Sequence, residues 1–205
     1  MISKVRKADS PENILKAADL LGKGGIIICP TETIYGFAAN ALIANAVRHI
    51  DTIKKRRAGE TYIILMKDIE MAKRFNLEFD LTSEKLAKRF WPGPLTMVLP
   101  IAKESSLIHL AHMGTLAIRI SSDLFLEKLF EKIDFPIIST SVNLSGKPPI
   151  ESPARMEDLF RREVDMILER GLIRGKLPST IIAIKNETIT MIRKGAIPEN
   201  KIYGN

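Results

Sequence analysis

The chain has 205 residues, 45% hydrophobic and 27% charged, an ordinary balance for a globular protein with one sizeable core. No apolar run reaches the about 20 residues that a membrane-spanning helix needs, and the opening Met-Ile-Ser-Lys-Val-Arg-Lys lacks the apolar stretch of a signal peptide. A net charge of +7 favours anionic ligands such as nucleotides, pyrophosphate or RNA, while the lone cysteine, Cys29, excludes an internal disulfide and fits a reducing, cytoplasmic setting.

Ser10-Pro11 predicts a helix start, with serine as N-cap and proline at the first helical position. Ile14, Ala17, Ala18 and Leu21 share one face of that helix, and Gly22, Gly24 and Gly25 end it. Ile26, Ile27, Ile28 and Cys29 form a continuous apolar run that suits a strand buried on both faces. Pro30 stops it, because proline cannot donate to a ladder. Thr31, Glu32, Thr33 and Tyr35 then place hydroxyl and carboxyl groups at the strand end, and Gly36 permits a bend or a close ligand. A polar turn accounts for this segment as well as a binding site does. A second strand is expected over 34–38.

A helix from about residue 44 carries Val47, Ile50 and Ile53 inward and runs into Lys54-Lys55-Arg56-Arg57. A buried strand is expected over 62–66, then a short helix capped by Asp68. Thr82 or Ser83 should cap a helix over 84–91, stopped by Pro92-Gly93-Pro94. Strands follow over 95–99 and 115–120, then a helix over 123–132 capped by Ser121 or Ser122. A strand over 136–141 enters the polar turn Ser141-Val142-Asn143-Leu144-Ser145-Gly146. Ser152-Pro153 starts another helix, and 181–184 with 188–192 read as a hairpin. Without repeats or linkers, 1–205 reads as a single α/β domain with its core over about 10–197. Strands outnumber what βαβ alternation would give, so a mixed sheet is expected.

No phosphate loop is present in the pattern. Gly22-Lys23-Gly24-Gly25 precedes its strand instead of following it, and Ser145-Gly146-Lys147 runs into two prolines. Separate side chains must therefore hold any nucleotide phosphates. Lys54 and Arg56, at a predicted helix end, are candidates, although cations there also satisfy the helix dipole. Arg119 breaks an otherwise apolar strand and must be paired or face a cavity. Ser139, Ser141 and Asn143 supply neutral donors for phosphate or carboxylate oxygens, or simply form turns. The histidines show no zinc-like cluster, no metal site is expected, and no nucleophile elbow occurs.

Gly24 to Ala41, Lys54-Lys55-Arg56, Phe90-Trp91-Pro92-Gly93-Pro94-Leu95-Thr96, Thr115 to Ile120, Ser139 to Gly146, Pro178-Ser179-Thr180 and Ile192-Arg193-Lys194-Gly195 occur in this order. Together they resemble the YrdC family, the threonylcarbamoyl-AMP synthases, over about residues 22–195. The resemblance implies a YrdC-like fold, a twisted mixed sheet with flanking helices and a deep concave pocket. It implies that L-threonine, bicarbonate and ATP give threonylcarbamoyl-AMP and pyrophosphate, for threonylcarbamoyladenosine in tRNA. Lys54, Arg56, Ser141 and Asn143 would be the catalytic group. ATP would also meet Glu60, Thr115 and Arg193, and threonine would meet Thr33, Tyr35, Arg119, Ser139 and Ser179. Mg2+ would arrive with the nucleotide, and the Trp91 block would be structural. The family has proline where this chain has Arg57, Pro-Leu where it has Thr61-Tyr62, and in many members histidine where it has Leu65, so no contact is carried to Leu65. The larger members' second domain is not expected here. A downstream threonylcarbamoyl transferase complex is the implied partner, and the basic surface leaves room for tRNA or double-stranded RNA. The rival readings are another carbamoyl-adenylate-forming enzyme, or an RNA-binding relative without synthase activity.

Overall fold

The computed structural model describes residues 3–56 and 61–204. In chain order they form β1 (Val5–Lys7), α1 (Pro11–Gly22), β2 (Ile27–Cys29), β3 (Gly36–Asn40), α2 (Ala44–Lys54), β4 (Ile63–Leu65), α3 (Ile69–Arg74) and α4 (Leu81–Phe90). Then come β5 (Leu95–Pro100), β6 (Thr115–Arg119), α5 (Leu124–Phe130), β7 (Ile137–Ser141), α6 (Pro153–Phe160), β8 (Met166–Glu169), β9 (Thr180–Lys185), β10 (Thr188–Arg193) and α7 (Glu199–Tyr203). The strands make one mixed sheet in the order β1-β8-β2-β3-β7-β4-β6-β5-β9-β10. No helix among the described residues is long and apolar enough to cross a membrane.

Sequence pattern and layer agree where burial is strong. All three residues of β2 are buried, as a β-branched run before proline requires, and so are Ile14, Ala17 and Leu21 of α1. Helices α1 and α2 pack on β3, and α6 packs on β8. Side chains alternate across a strand, so a row of opposed residues shares one face. One such row is Ala38, Ser139, Ile63, Ala117 and Val98, crossing β3, β7, β4, β6 and β5 in register. Its last four members, Ser139, Ile63, Ala117 and Val98, line the cleft described below.

Two expected helix starts move. Asp80, not Thr82 or Ser83, is the N-cap of α4. Its Oδ1 accepts from Ser83 N at 2.8 Å, and Ser83 Oγ accepts from Asp80 N at 2.8 Å. Asp123 caps α5, accepting from Phe125 N at 2.9 Å, while Ser121 Oγ accepts from Asp123 N. Two strands escaped the sequence pattern, β1 and β8, which pair in parallel with each other. The hairpin β9–β10 turns at Asn186 and Glu187, both with positive φ (50° and 60°), the backbone that a two-residue loop of matching twist requires.

Asp80 also receives Glu187 N at 3.1 Å, so one carboxylate caps a helix and pins the hairpin turn. Burial acts to raise its pKa, but bonds from Ser83, Glu187 and Thr82 outweigh it and hold the carboxyl below its ordinary range. Asp80→Ala is therefore expected to cost about 1 kcal/mol at pH 7. A depressed carboxylate contributes above its unfolded pKa and loses that contribution as pH falls through the folded value. The gap between wild type and variant should thus shrink below about pH 4. Urea titrations at pH 7 and pH 3 measure it, and an equal gap at both would contradict the assignment.

Candidate active site

A cleft of about 270 Å³ opens on the face bearing the Ser139–Ile63–Ala117 row. Its polar lining comes from three places. The first is the turn after β2, where Thr31 Oγ1 donates to Ile34 O at 2.7 Å and sits 2.8 Å from Thr33 Oγ1. The second is β6 and β7, the strands on either side of β4, with Arg119, Ser139 and Ser141. The third is the entry to β9 and the end of β10, with Ser179 and Arg193.

Arg119 is 4% exposed. Its contacts are long for a guanidinium: Nη1 lies 3.5 Å from Thr33 Oγ1, and Nη2 lies 3.4 Å from Glu32 Oε2. Its Nε and Glu32 Oε1 are buried without a hydrogen-bond partner among the described residues. Burial pushes the Arg119 pKa down, opposed by the charges of Glu32 and Asp123. A buried fork with a donor to spare, bordering an open cleft, has the chemistry to take a carboxylate.

Ser179 is held from two sides. Its hydroxyl lies 2.9 Å from Thr96 Oγ1 and accepts from Arg193 Nη2 at 3.1 Å. Arg193 also donates to Ser179 O through Nε at 3.1 Å and Nη2 at 2.8 Å. Burial, then the nearby charge of Arg119, lowers the Arg193 pKa, so an anion between them would relieve both. The approach depends on Gly195, where a Cβ would come within 2.4–2.5 Å of Pro178 O, Ser179 C and Thr180 N.

The cations after α2 divide. Lys55 ends the helix in the left-handed region (φ 50°), and Arg56 turns out to border the cleft. The Arg56 guanidinium stacks 3.9 Å over the Tyr62 ring and donates to Thr61 O. Lys54 goes the other way. It is 3% exposed and does not line the cleft. Its Nζ donates to Ser141 O at 2.6 Å, Asn143 O at 3.0 Å and Asn143 Oδ1 at 2.7 Å. Ser145 N returns a bond to Lys54 O at 2.9 Å. The lysine therefore fastens the 141–145 turn from behind, and Asn143, itself buried, belongs to the same knot by accepting from Ser141 Oγ at 2.6 Å.

Of the residues expected to contact ligands, the cleft thus gathers Thr33, Arg119, Ser139, Ser141, Ser179, Arg193 and Arg56. Tyr35 borders it, but its hydroxyl donates to Gly171 O at 2.7 Å and accepts from Arg170 N at 2.9 Å, so the phenol has another task. Thr115 sits at the outer start of β6, its hydroxyl donating to His112 O at 2.8 Å. Glu60 lies outside the described residues. Trp91 packs as a structural residue, with Nε1 donating to Leu95 O at 2.7 Å and its ring edge-on to Phe79.

The profile of the Sua5/YciO/YrdC family, described as "Telomere recombination", matches residues 19–195. The chain belongs to this family. A Pyrococcus abyssi protein called threonylcarbamoyl-AMP synthase is 34% identical over 98% of this chain and 59% of its own length. One from Coxiella burnetii with the same name is 31% identical over 84% of this chain and 93% of its own. The crystal structure of P. abyssi Sua5 complexed with L-threonine superposes with a TM-score of 0.87 at 33% identity, covering 100% of this chain and 61% of that one. The chain therefore spans about three-fifths of the length of the Pyrococcus relative.

Around this Sua5/YciO/YrdC site stand residues to which the sequence reading gave no site role. Glu32 balances Arg119 from behind and accepts a bond from Ser121 Oγ. Asp123, buried, holds Arg170 at 2.7 and 3.1 Å, which in turn brings Arg170 N to Tyr35. Lys176 donates to Glu32 O at 3.0 Å. Glu32 had a visible signal, a carboxylate between two threonines directly after a buried strand. Asp123 and Arg170 had none, because their pairing joins segments 47 residues apart.

Proposed function

We propose that the chain is a threonylcarbamoyl-AMP synthase: L-threonine, bicarbonate and ATP give threonylcarbamoyl-AMP and pyrophosphate. The observation that carries this reading is the buried, under-bonded Arg119 guanidinium facing a hydroxyl-lined cleft whose rim holds Arg56 and Arg193. An amino-acid carboxylate supplies what Arg119 lacks, and Thr33, Ser139 and Ser179 offer partners to a small polar side chain. The threonine amine takes up CO2 from bicarbonate, with loss of water, to form a carbamate. A carbamate oxygen then bonds to the α-phosphorus of ATP as the bond to the β-phosphate oxygen breaks. Pyrophosphate leaves. No covalent enzyme intermediate is required, so the contribution of the chain is positioning and charge.

Arg56 and Arg193 offset charge on the phosphates, and Ser141 borders the same cleft. Lys54 and Asn143 act by fixing the turn that carries Ser141. Mg2+ accompanies the triphosphate as part of the substrate. The product then passes, in a cytoplasmic setting, to a transferase that modifies tRNA. The relatives named synthase and the threonine-bound Sua5 support this reading.

Pyrophosphate release from ATP tests it, with threonine and bicarbonate omitted in turn. Release should require both. Equal release without threonine would defeat the substrate assignment.

A further inference from the structure

Three guanidiniums line the cleft, those of Arg56, Arg119 and Arg193, and no aspartate or glutamate stands among its described lining residues. So concentrated a positive charge would draw any small anion into the threonine end. The proposed substrate there is a zwitterion, whose ammonium such a field repels. The negative charge that corrects this lies one layer behind the wall. Glu32 Oε2 is 3.4 Å from Arg119 Nη2, and the Glu32 side chain is 16% exposed. Asp51, 3.9 Å from Arg56 Nε, is 43% exposed and so more strongly screened by water and salt.

The pair is not closed as a stabilising ion pair would be. A carboxylate in good contact with an arginine lies at about 2.7–2.9 Å, often through both oxygens. Glu32 is held off instead. Ser121 Oγ donates to its Oε2 and is itself fixed by Asp123 N at 3.2 Å, while Lys176 Nζ donates to Glu32 O at 3.0 Å. Glu32 Oε1 is buried with no hydrogen-bond partner among the described residues, and so is Arg119 Nε. The two charges therefore offset each other at a distance, while the guanidinium keeps a donor for a ligand. Thr31 and Thr33, the chain neighbours of Glu32, both line the cleft, so the carboxylate charge lies close behind its wall.

We propose that Glu32 sets the specificity for a zwitterionic amino acid. Tethered by Ser121, it cancels the Arg119 charge without taking all of the Arg119 donors. The cleft then favours a carboxylate that brings its own ammonium over a simple carboxylate anion. Glu32 works from behind Arg119 and is not a catalytic residue. The inference rests on the synthase reading for its ligand, threonine, but its test is separate. Calorimetry measures binding of L-threonine and of (R)-β-hydroxybutyrate, which is threonine without its amine, to wild type, Glu32→Gln and Ser121→Ala. Saturating α,β-methylene ATP is present so that no turnover occurs, and thermal melts check the fold. Wild type should prefer threonine about tenfold or more, and Glu32→Gln should erase most of that preference by binding β-hydroxybutyrate more tightly. Loss of a merely structural glutamate would weaken both ligands and leave their ratio. Ser121→Ala keeps the charge but frees Glu32 to close on Arg119, so both ligands should weaken severalfold and in step. An unchanged ratio in folded Glu32→Gln, with threonine-dependent pyrophosphate release still running in wild type, would overturn the role of Glu32 and leave the synthase reading intact. A wild type that binds both acids equally would do the same, and one that binds no threonine would overturn both readings. If Glu32→Gln fails to fold, Ser121→Ala decides: unchanged threonine affinity, or loss of the preference, would overturn the tethered charge.

Discussion

Arg119→Met is expected to lower kcat/KM for threonine by about 100- to 1,000-fold. A charged hydrogen bond is worth about 1.5–3 kcal/mol, and a bidentate carboxylate contact has two, so a loss of about 3–4 kcal/mol is the scale. The effect should be selective. Threoninamide, which lacks the carboxylate, should be a poor substrate for wild type and hardly worse for the variant. A variant that keeps kcat/KM for threonine within about threefold would remove Arg119 from the carboxylate contact. The stability consequence runs the other way once the partner is neutralised. Arg119→Met alone strands Glu32, already carrying an unpartnered Oε1, in a buried place. Adding Glu32→Gln removes both charges and their desolvation cost, so the double variant should unfold at or above the wild-type urea midpoint. Stability would then be shown to be sacrificed for binding at this position.

The sequence spoke clearly wherever one strand pattern decided the matter. A charge in the apolar run Leu116-Ala117-Ile118-Arg119 must be paired or face a cavity, and it does both, beside Glu32 and on the cleft. The strands β5, β6 and β7 fell within a residue of expectation because turn residues bracket them. Helix starts were harder. Asp80 and Ser83 are both good caps, and in a capping box each bonds to the other's backbone, so composition cannot rank them. β1 offers Val-Arg-Lys, too short and too charged to signal a strand, and exists because β8 completes its ladder. Lys54 is legible only in part: the resemblance groups it with Ser141 and Asn143, which its Nζ meets, but the local run does not show its burial. A Lys-Lys-Arg-Arg run reads as a solvated patch or a phosphate clamp, yet its acceptors come from a turn 87 and 89 residues away. Nothing local announces such a partner.

That burial changes what Lys54→Met should do. A lysine acting only on the nucleotide would cost turnover when lost and leave the fold intact. In the structure the ammonium meets Ser141 O, Asn143 O and Asn143 Oδ1 at once and lies 5.7 Å from the Phe37 ring centre. Removing one side of a buried charged network costs about 3–5 kcal/mol, so the urea midpoint should fall as well as the rate. Turnover should drop by about 1,000-fold, because Ser141 loses its place beside the phosphates. Lys54→Arg should not rescue, since a planar fork cannot aim at three oxygens arranged for a compact ammonium. A double-mutant cycle separates anchoring from direct phosphate contact. If Lys54 and Asn143 serve one turn, the combined variant with Asn143→Ala should lose little more activity than either alone. Losses that multiply would mean that the two side chains act independently on the nucleotide, and the turn-anchoring role of Lys54 would be wrong.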